Sequence, residues 1–197
     1  MNSVGPHPHL VRQMRNRASL NQGEWGALAG ADQSRVSKAE AGTAPLAPRH
    51  WLALAPHIAL RAEDDDAAAL RKLWWVLTCA NDFDTPDTIL PLYDADGGLG
   101  LFFDPALAWD AARALAALGA IPFPCPMPCT FRYVIDTAQV LNDDGTAGHY
   151  YVVDERSGTL PAGFEELSRR ARAAVYVGSV MQQVAHYGAQ AVEGAAS

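Results

Sequence analysis

Lysine is nearly missing from this chain of 197 residues, which has only Lys38 and Lys72. Cysteine is scarce as well: Cys79, Cys125 and Cys129 are an odd number, which fits a reducing cytoplasm better than a disulfide scaffold. No two of them have the C-x2-C spacing of a zinc ribbon. Cys125 and Cys129 lie in IPFPCPMPC, where proline at 122, 124, 126 and 128 predicts an extended, polyproline-like connector. At about 3.1 Å per residue the two would stand roughly 12 Å apart, whereas a disulfide needs Cα atoms within about 7 Å. A redox or metal site using Cys79, Cys125, Cys129 and His149 is weighed against buried small hydrophobes, and the latter reading is preferred. There is no run of 18 apolar residues to span a membrane. The opening MNSVGPHPHLVRQMRNR has no apolar signal-peptide core, so a cytoplasmic location is expected. Gly-rich phosphate loops and nucleophile elbows are absent. Two acidic turns, DADGG and NDDGTAG, fail as calcium loops. Aligned on Gly97 or Gly145, they place Leu92 and Phe103, or Val140 and Tyr151, where carboxylates are required. An enzyme, a cofactor and a metal are therefore not expected.

What the chain does have is hydrophobic content, 49% of residues, and an uneven charge. The net charge is -7. Residues 1–61 carry seven Lys/Arg against three Asp/Glu, a net of +4, while residues 62–197 carry eight against nineteen, a net of -11. The basic part can approach phosphates and the acidic part cannot.

The basic part is organised around residues 20–42, LNQGEWGALAGADQSRVSKAEAG. Asn21 as N-cap with Glu24 three residues on predicts a helix over 22–29. Asp32 as N-cap and Gly42 as stop predict a second over 33–41, with the turn at Gly30. Trp25, Leu28 and Ala29 give the first an apolar side, and Val36 and Ala39 give the second a narrow seam. Gln33, Ser34, Arg35, Ser37 and Lys38 lie off that seam, a composition suited to base edges and phosphates in a major groove.

These residues resemble the helix-turn-helix of the phage repressor and Cro (XRE-type) family over about residues 9–61. Gln22 opens the first helix, Leu28 and Val36 are core, Gly30 is the turn, and Glu40 and Gly42 close the motif. The resemblance implies base reading by Gln33, Ser34, Ser37 and Lys38, phosphate contacts by Asn21, Gln22 and Arg35, and an ion pair between Arg15 and Glu40. Gly26 stands where the family usually has alanine, which by helix propensity alone costs about 0.5–1 kcal/mol. The loop TAPLAP lacks the basic residues many members carry there. Many repressors of this class also self-cleave with a Ser–Lys dyad. No lysine lies in residues 80–197, so autoproteolysis is rejected.

Around the motif, helices are predicted over 9–18, with Leu10 and Met14 inward, and over 48–55, stopping or kinking at Pro56. Trp25 and Trp51 are assigned to the small core. The acidic start at residues 63–66 and the stripe Leu70, Leu73, Trp74 and Leu77 predict a connecting helix within 62–79. Residues 80–197 are expected to form an α+β domain. Strands are assigned to 88–93, 100–104, 131–136 and 149–154, and helices to 105–119 and from 162 onward. Asp87-Thr88 matches Asp136-Thr137, and LFFD at 101 matches YVVD at 151, suggesting duplicated ββα units. Two such units would form one antiparallel sheet covered by helices, or pair across a dimer.

The resulting expectation is a sequence-specific regulator of transcription, a dimeric repressor on an inverted-repeat operator in double-stranded DNA. Residues 1–61 would bind DNA and residues 80–197 would dimerise or receive a signal. The alternative is an autoregulated interaction module of the antitoxin or anti-CRISPR-associated type, whose acidic domain binds a protein partner.

Overall fold

The structure, a computed structural model, describes residues 4–93, 98–119, 121–138 and 149–153. Four helices come first: α1 (Pro8–Arg17), α2 (Gln22–Ala29), α3 (Gln33–Glu40) and α4 (Pro48–Ile58). Their starts are set by local chemistry. The Asn21 side chain accepts from the Glu24 N–H at 3.0 Å and the Glu24 carboxylate accepts from the Asn21 N–H at 2.8 Å, closing a capping box. Asp32 accepts from the Arg35 N–H at 2.8 Å. Proline occupies the first turn of α1 and α4, where its missing N–H costs nothing. Trp25, Val36, Trp51 and Leu54 are buried between the four helices.

Two details differ from expectation. Leu28 is 38% exposed rather than core. Trp25, Gly26 and Ala29 face inward, and Leu28 falls on the other side of Trp25 from Gly26 and Ala29, off the buried side. Helix α4 does not stop at Pro56 but runs to Ile58. A proline in the last turn deletes one bond, to Leu52, and the burial of Leu54 and Ala55 holds the rest.

The connecting helix predicted within 62–79 is not formed. A single 3-10 turn, Ala69–Arg71, precedes the strand β1 (Trp74–Ala80). The acidic residues bond to the local backbone instead of starting a helix. Asp66 accepts from the N–H of Ala68 and Ala69, and Asp65 accepts from the N–H of Ala62 and from the Thr130 hydroxyl. Residues 74–78 are buried without alternation, as a strand covered on both faces must be.

Strand β1 is the centre of a five-stranded sheet with β2 (Ile89–Pro91), β3 (Gly98–Phe102), β4 (Cys125–Cys129) and β5 (His149–Val152). β4 runs antiparallel to β1 from Trp74↔Cys129 to Thr78↔Cys125. On the other edge of β1, β3 pairs with residues 75 and 76 and β2 with residues 78 to 80, both antiparallel. The hairpin expected between β2 and β3 thus reduces to one bridge, Tyr93↔Leu99. β5 joins β3 in parallel, so the sheet is not purely antiparallel. Of IPFPCPMPC only Cys125–Cys129 is extended, as a buried sheet strand rather than a free connector; residues 121–123 bend, with Phe123 at a left-handed φ of 47°. The Pro128 carbonyl accepts from Leu60 N–H, on the side away from β1. By alternation the missing N–H positions of Pro126 and Pro128 also face outward and cost the β1–β4 ladder no bond.

Helix α5 (Pro105–Leu118) forms as predicted, capped by Asp104 and ended by left-handed Gly119. The strand predicted over 131–136 is instead a helix, α6 (Phe131–Ala138). Phe131, Val134, Ile135 and Ala138 recur at helical spacing, and the Thr130 hydroxyl caps the Tyr133 N–H. This removes the duplicated ββα reading, because the second unit lacks its first strand. The helix predicted from 162 onward lies outside the described residues, as do most of the residues of both acidic turns.

The sheet is covered on both faces. Trp75 and Leu77 pack with Ala108, Ala112 and Leu115 of α5, while Trp74 and Val76 pack with Val134 and Ala138 of α6. Ala80, Cys125 and Met127 belong to one apolar cluster with Leu10, Trp25 and Leu54 of the N-terminal helices. Leu60 bridges the two parts: its N–H donates to Pro128 and its carbonyl accepts from Thr130.

Candidate nucleic-acid interface

Helix α3 buries one side and exposes the other. Val36, Ala39 and Glu40 are inside, and Gln33, Ser34, Arg35, Ser37 and Lys38 are all exposed. None of these five side chains makes a hydrogen bond or ion pair among the described residues. They form one continuous polar face with two cations and no acid.

The approach of α2 to α3 depends on two glycines. Gly30 has φ of 63°, a left-handed conformation in which its N–H reaches Ala27 and ends α2. Gly26 faces the turn itself, where a Cβ would lie 2.6 Å from the Ala31 carbonyl oxygen. The expected propensity cost of Gly26 therefore accompanies a contact that alanine would not allow. Gly26→Ala is expected to lower stability by about 1–3 kcal/mol, as overpacking does. Urea denaturation checks this: a gain of about 0.5–1 kcal/mol from helix propensity would mean that the turn yields at no cost.

At the far end of α3, the Glu40 carboxylate has a side chain only 2% exposed. Arg15 Nε donates to its Oε1 at 2.5 Å and Arg15 Nη2 to its Oε2 at 3.2 Å. Gln22 Nε2 donates to the same Oε2 at 2.9 Å, and Arg12 lies 3.6 Å away. Arg15 Nη1 also donates to the Leu20 carbonyl at 2.8 Å. One carboxylate so ties α1, α2 and α3 together. Burial alone would push the Glu40 carboxyl up. The hydrogen bonds from Arg15 and Gln22, with the charges of Arg15 and Arg12, outweigh it and hold the group below its ordinary value. The hydrogen bond to Glu40 raises Arg15 in turn, against its own desolvation.

The remaining candidate residues are placed as follows. Asn21 is exposed at the start of α2, with its side-chain oxygen and its N–H both inside the capping box. Gln22 is half-buried and spends one amide bond on Glu40, a role the sequence did not suggest. Arg12 is the other participant missed. Its signal was its position three residues before Arg15, on the same side of α1. His50 was missed too. It is buried, and its Nδ1 contacts the Ala29 carbonyl at 2.8 Å, satisfying the end of α2 from α4.

The three thiols are free. Burial pushes Cys79 up to about 11, and pushes Cys125 and Cys129 up as well, so none is a ready thiolate. Among the described residues no helix is long and apolar enough to cross a membrane. Comparison of the chain with protein-family models, with curated proteins and with solved structures finds no match.

Proposed function

We propose that this chain is a sequence-specific DNA-binding regulator of transcription, a repressor that acts as a dimer on an inverted-repeat operator. The observation that carries the reading is the outer face of α3. Five polar or cationic side chains stand there without a partner among the described residues, on a helix whose inner side is fixed by Val36 and by the Glu40 cluster. A short rigid helix of this kind fits a major groove, where Gln suits the adenine edge and Lys the guanine edge. The Asn21 and Gln22 end of α2 would meet the phosphates beside it. The net of +4 in residues 1–61 against -11 in the rest directs the same face to DNA.

The test begins with selection of sites from random duplex DNA by the full-length chain. A recovered palindrome with half-sites about 34 Å apart is the expected product. Gln33→Ala then costs about 1–3 kcal/mol on the selected site and little on random DNA. Arg35→Ala weakens binding to every sequence and reduces the salt slope by about one. Equal weakening of both DNAs by Gln33→Ala would end the case for base reading. Sedimentation of the full-length chain without DNA should give a dimer.

A further inference from the structure

A cleft of about 710 Å³ opens between the N-terminal helices and the sheet. None of the residues on the outer face of α3 lines it. Its volume is within the range of about 300–1,000 Å³ typical of small-molecule sites, and such sites favour the junction of two packed units. Met14, Leu28, Ile58, Ile89 and Met127 supply apolar lining from α1, α2, α4, β2 and β4 respectively. Leu28, at 38% exposure, is the large apolar residue that the sequence placed in the core and the structure leaves beside this opening.

The polar lining holds two guanidiniums. Arg17, His57 and Arg61 stand exposed at the cleft, with Asp87 as the only acid in its described lining. Asp87 Oδ1 already accepts from the Asn81 amide at 2.6 Å and from the Thr88 hydroxyl at 3.0 Å. Neither Arg17 nor Arg61 has an ion pair or side-chain hydrogen bond among the described residues. The C-terminal turns of α1 and α4 also reach the cleft, each with roughly half a negative charge. Against the two guanidinium charges, Asp87 and these partial charges bring the sum of the lining close to zero, so it is the placement of Arg17 and Arg61, each without a partner among the described residues, that favours an anionic head.

We propose that the cleft is a binding site for a small amphipathic carboxylate, an aliphatic or aromatic body seated on the apolar lining with its acid group on Arg17 and Arg61. An apolar body alone would leave both guanidiniums unmatched, and an ammonium head would oppose them. A bound acid would touch both the helices and the sheet.

The experiment is calorimetric titration of the full-length chain, without DNA, with decanoate and decylammonium below their micellar concentrations and decanol below its solubility limit. It therefore succeeds or fails independently of the nucleic-acid reading. Decanoate is expected to saturate one site, at least tenfold tighter than decanol, with decylammonium weakest. The paired change Arg17→Gln/Arg61→Gln, both at exposed positions, should remove the advantage of decanoate over decanol. Leu28→Trp should weaken all three by narrowing the cleft. The proposal is overturned by decylammonium binding as tightly as decanoate, by no saturable binding of decanoate, or by a paired variant that binds decanoate unchanged. Should Leu28→Trp fail to fold, the paired variant decides alone.

Discussion

Arg15→Ala is expected to destabilise the chain by about 3–5 kcal/mol, since it leaves a buried carboxylate without its main partner. For a chain of this length that is a fall of roughly 6–20 °C in melting temperature. The reason is the 2% exposure of Glu40: water cannot replace the two bonds Arg15 makes. Arg12 at 3.6 Å and Gln22 remain, but neither offers a second parallel pair of donors. The same cluster gives a pH signature. Because folding holds Glu40 below its ordinary carboxylate value, its contribution is complete above the unfolded value of about 4.3 and fades as pH falls through the lower folded value. Glu40→Gln should therefore be less stable than the parent at pH 7 and lose less on going to about pH 3. Denaturation curves of parent and variant that stay parallel across that window would refute the assignment. An unchanged melting temperature for Arg15→Ala would mean the pair contributes nothing net.

The second large effect concerns Met127 on β4. Met127→Ala is expected to cost about 2–5 kcal/mol, the usual range for a buried methionine. The residue is 2% exposed and shares a cluster with Leu10, Trp25 and Leu54. The loss should therefore appear in the helices as well as the sheet. Trp25 fluorescence, isolated in a background where the other tryptophans are phenylalanine, and far-UV circular dichroism should move together in one transition. Two separated transitions, with the Trp25 signal unshifted by the mutation, would show that the halves unfold independently despite their common cluster.

The N-terminal helices were legible because their signals are local. Asn21 with Glu24, Asp32 with Arg35 and a left-handed Gly30 each act within four residues, and a sequence displays them directly. The Arg15–Glu40 contact spans 25 residues and was suggested only by a family resemblance. Residues 70–77 were misread because Leu70, Leu73, Trp74 and Leu77 satisfy helical spacing while 73–77 is also a continuous apolar run. The decision between them lay in β4, about 50 residues away, whose prolines disguised it as a connector. In α6 the error went the other way. Its aromatic and β-branched residues suggested a strand, while the helical spacing of Phe131, Val134 and Ala138 was present and unused. The cleft is a product of docking helices on the sheet, so no single segment announces it.

The prolines of β4 also limit how copies of this chain can associate. A sheet edge with a regular row of N–H donors is a template on which a strand of another molecule can add itself. Along the outer side of β4, Pro126 and Pro128 remove successive donors, and the Leu60 segment takes the Pro128 carbonyl and the Thr130 N–H. An incoming strand would find no ladder to continue there. Growth of the sheet from molecule to molecule across β4, the first step towards a fibre, is thereby blocked by covalent structure, and the block persists even if the Leu60 segment lifts away.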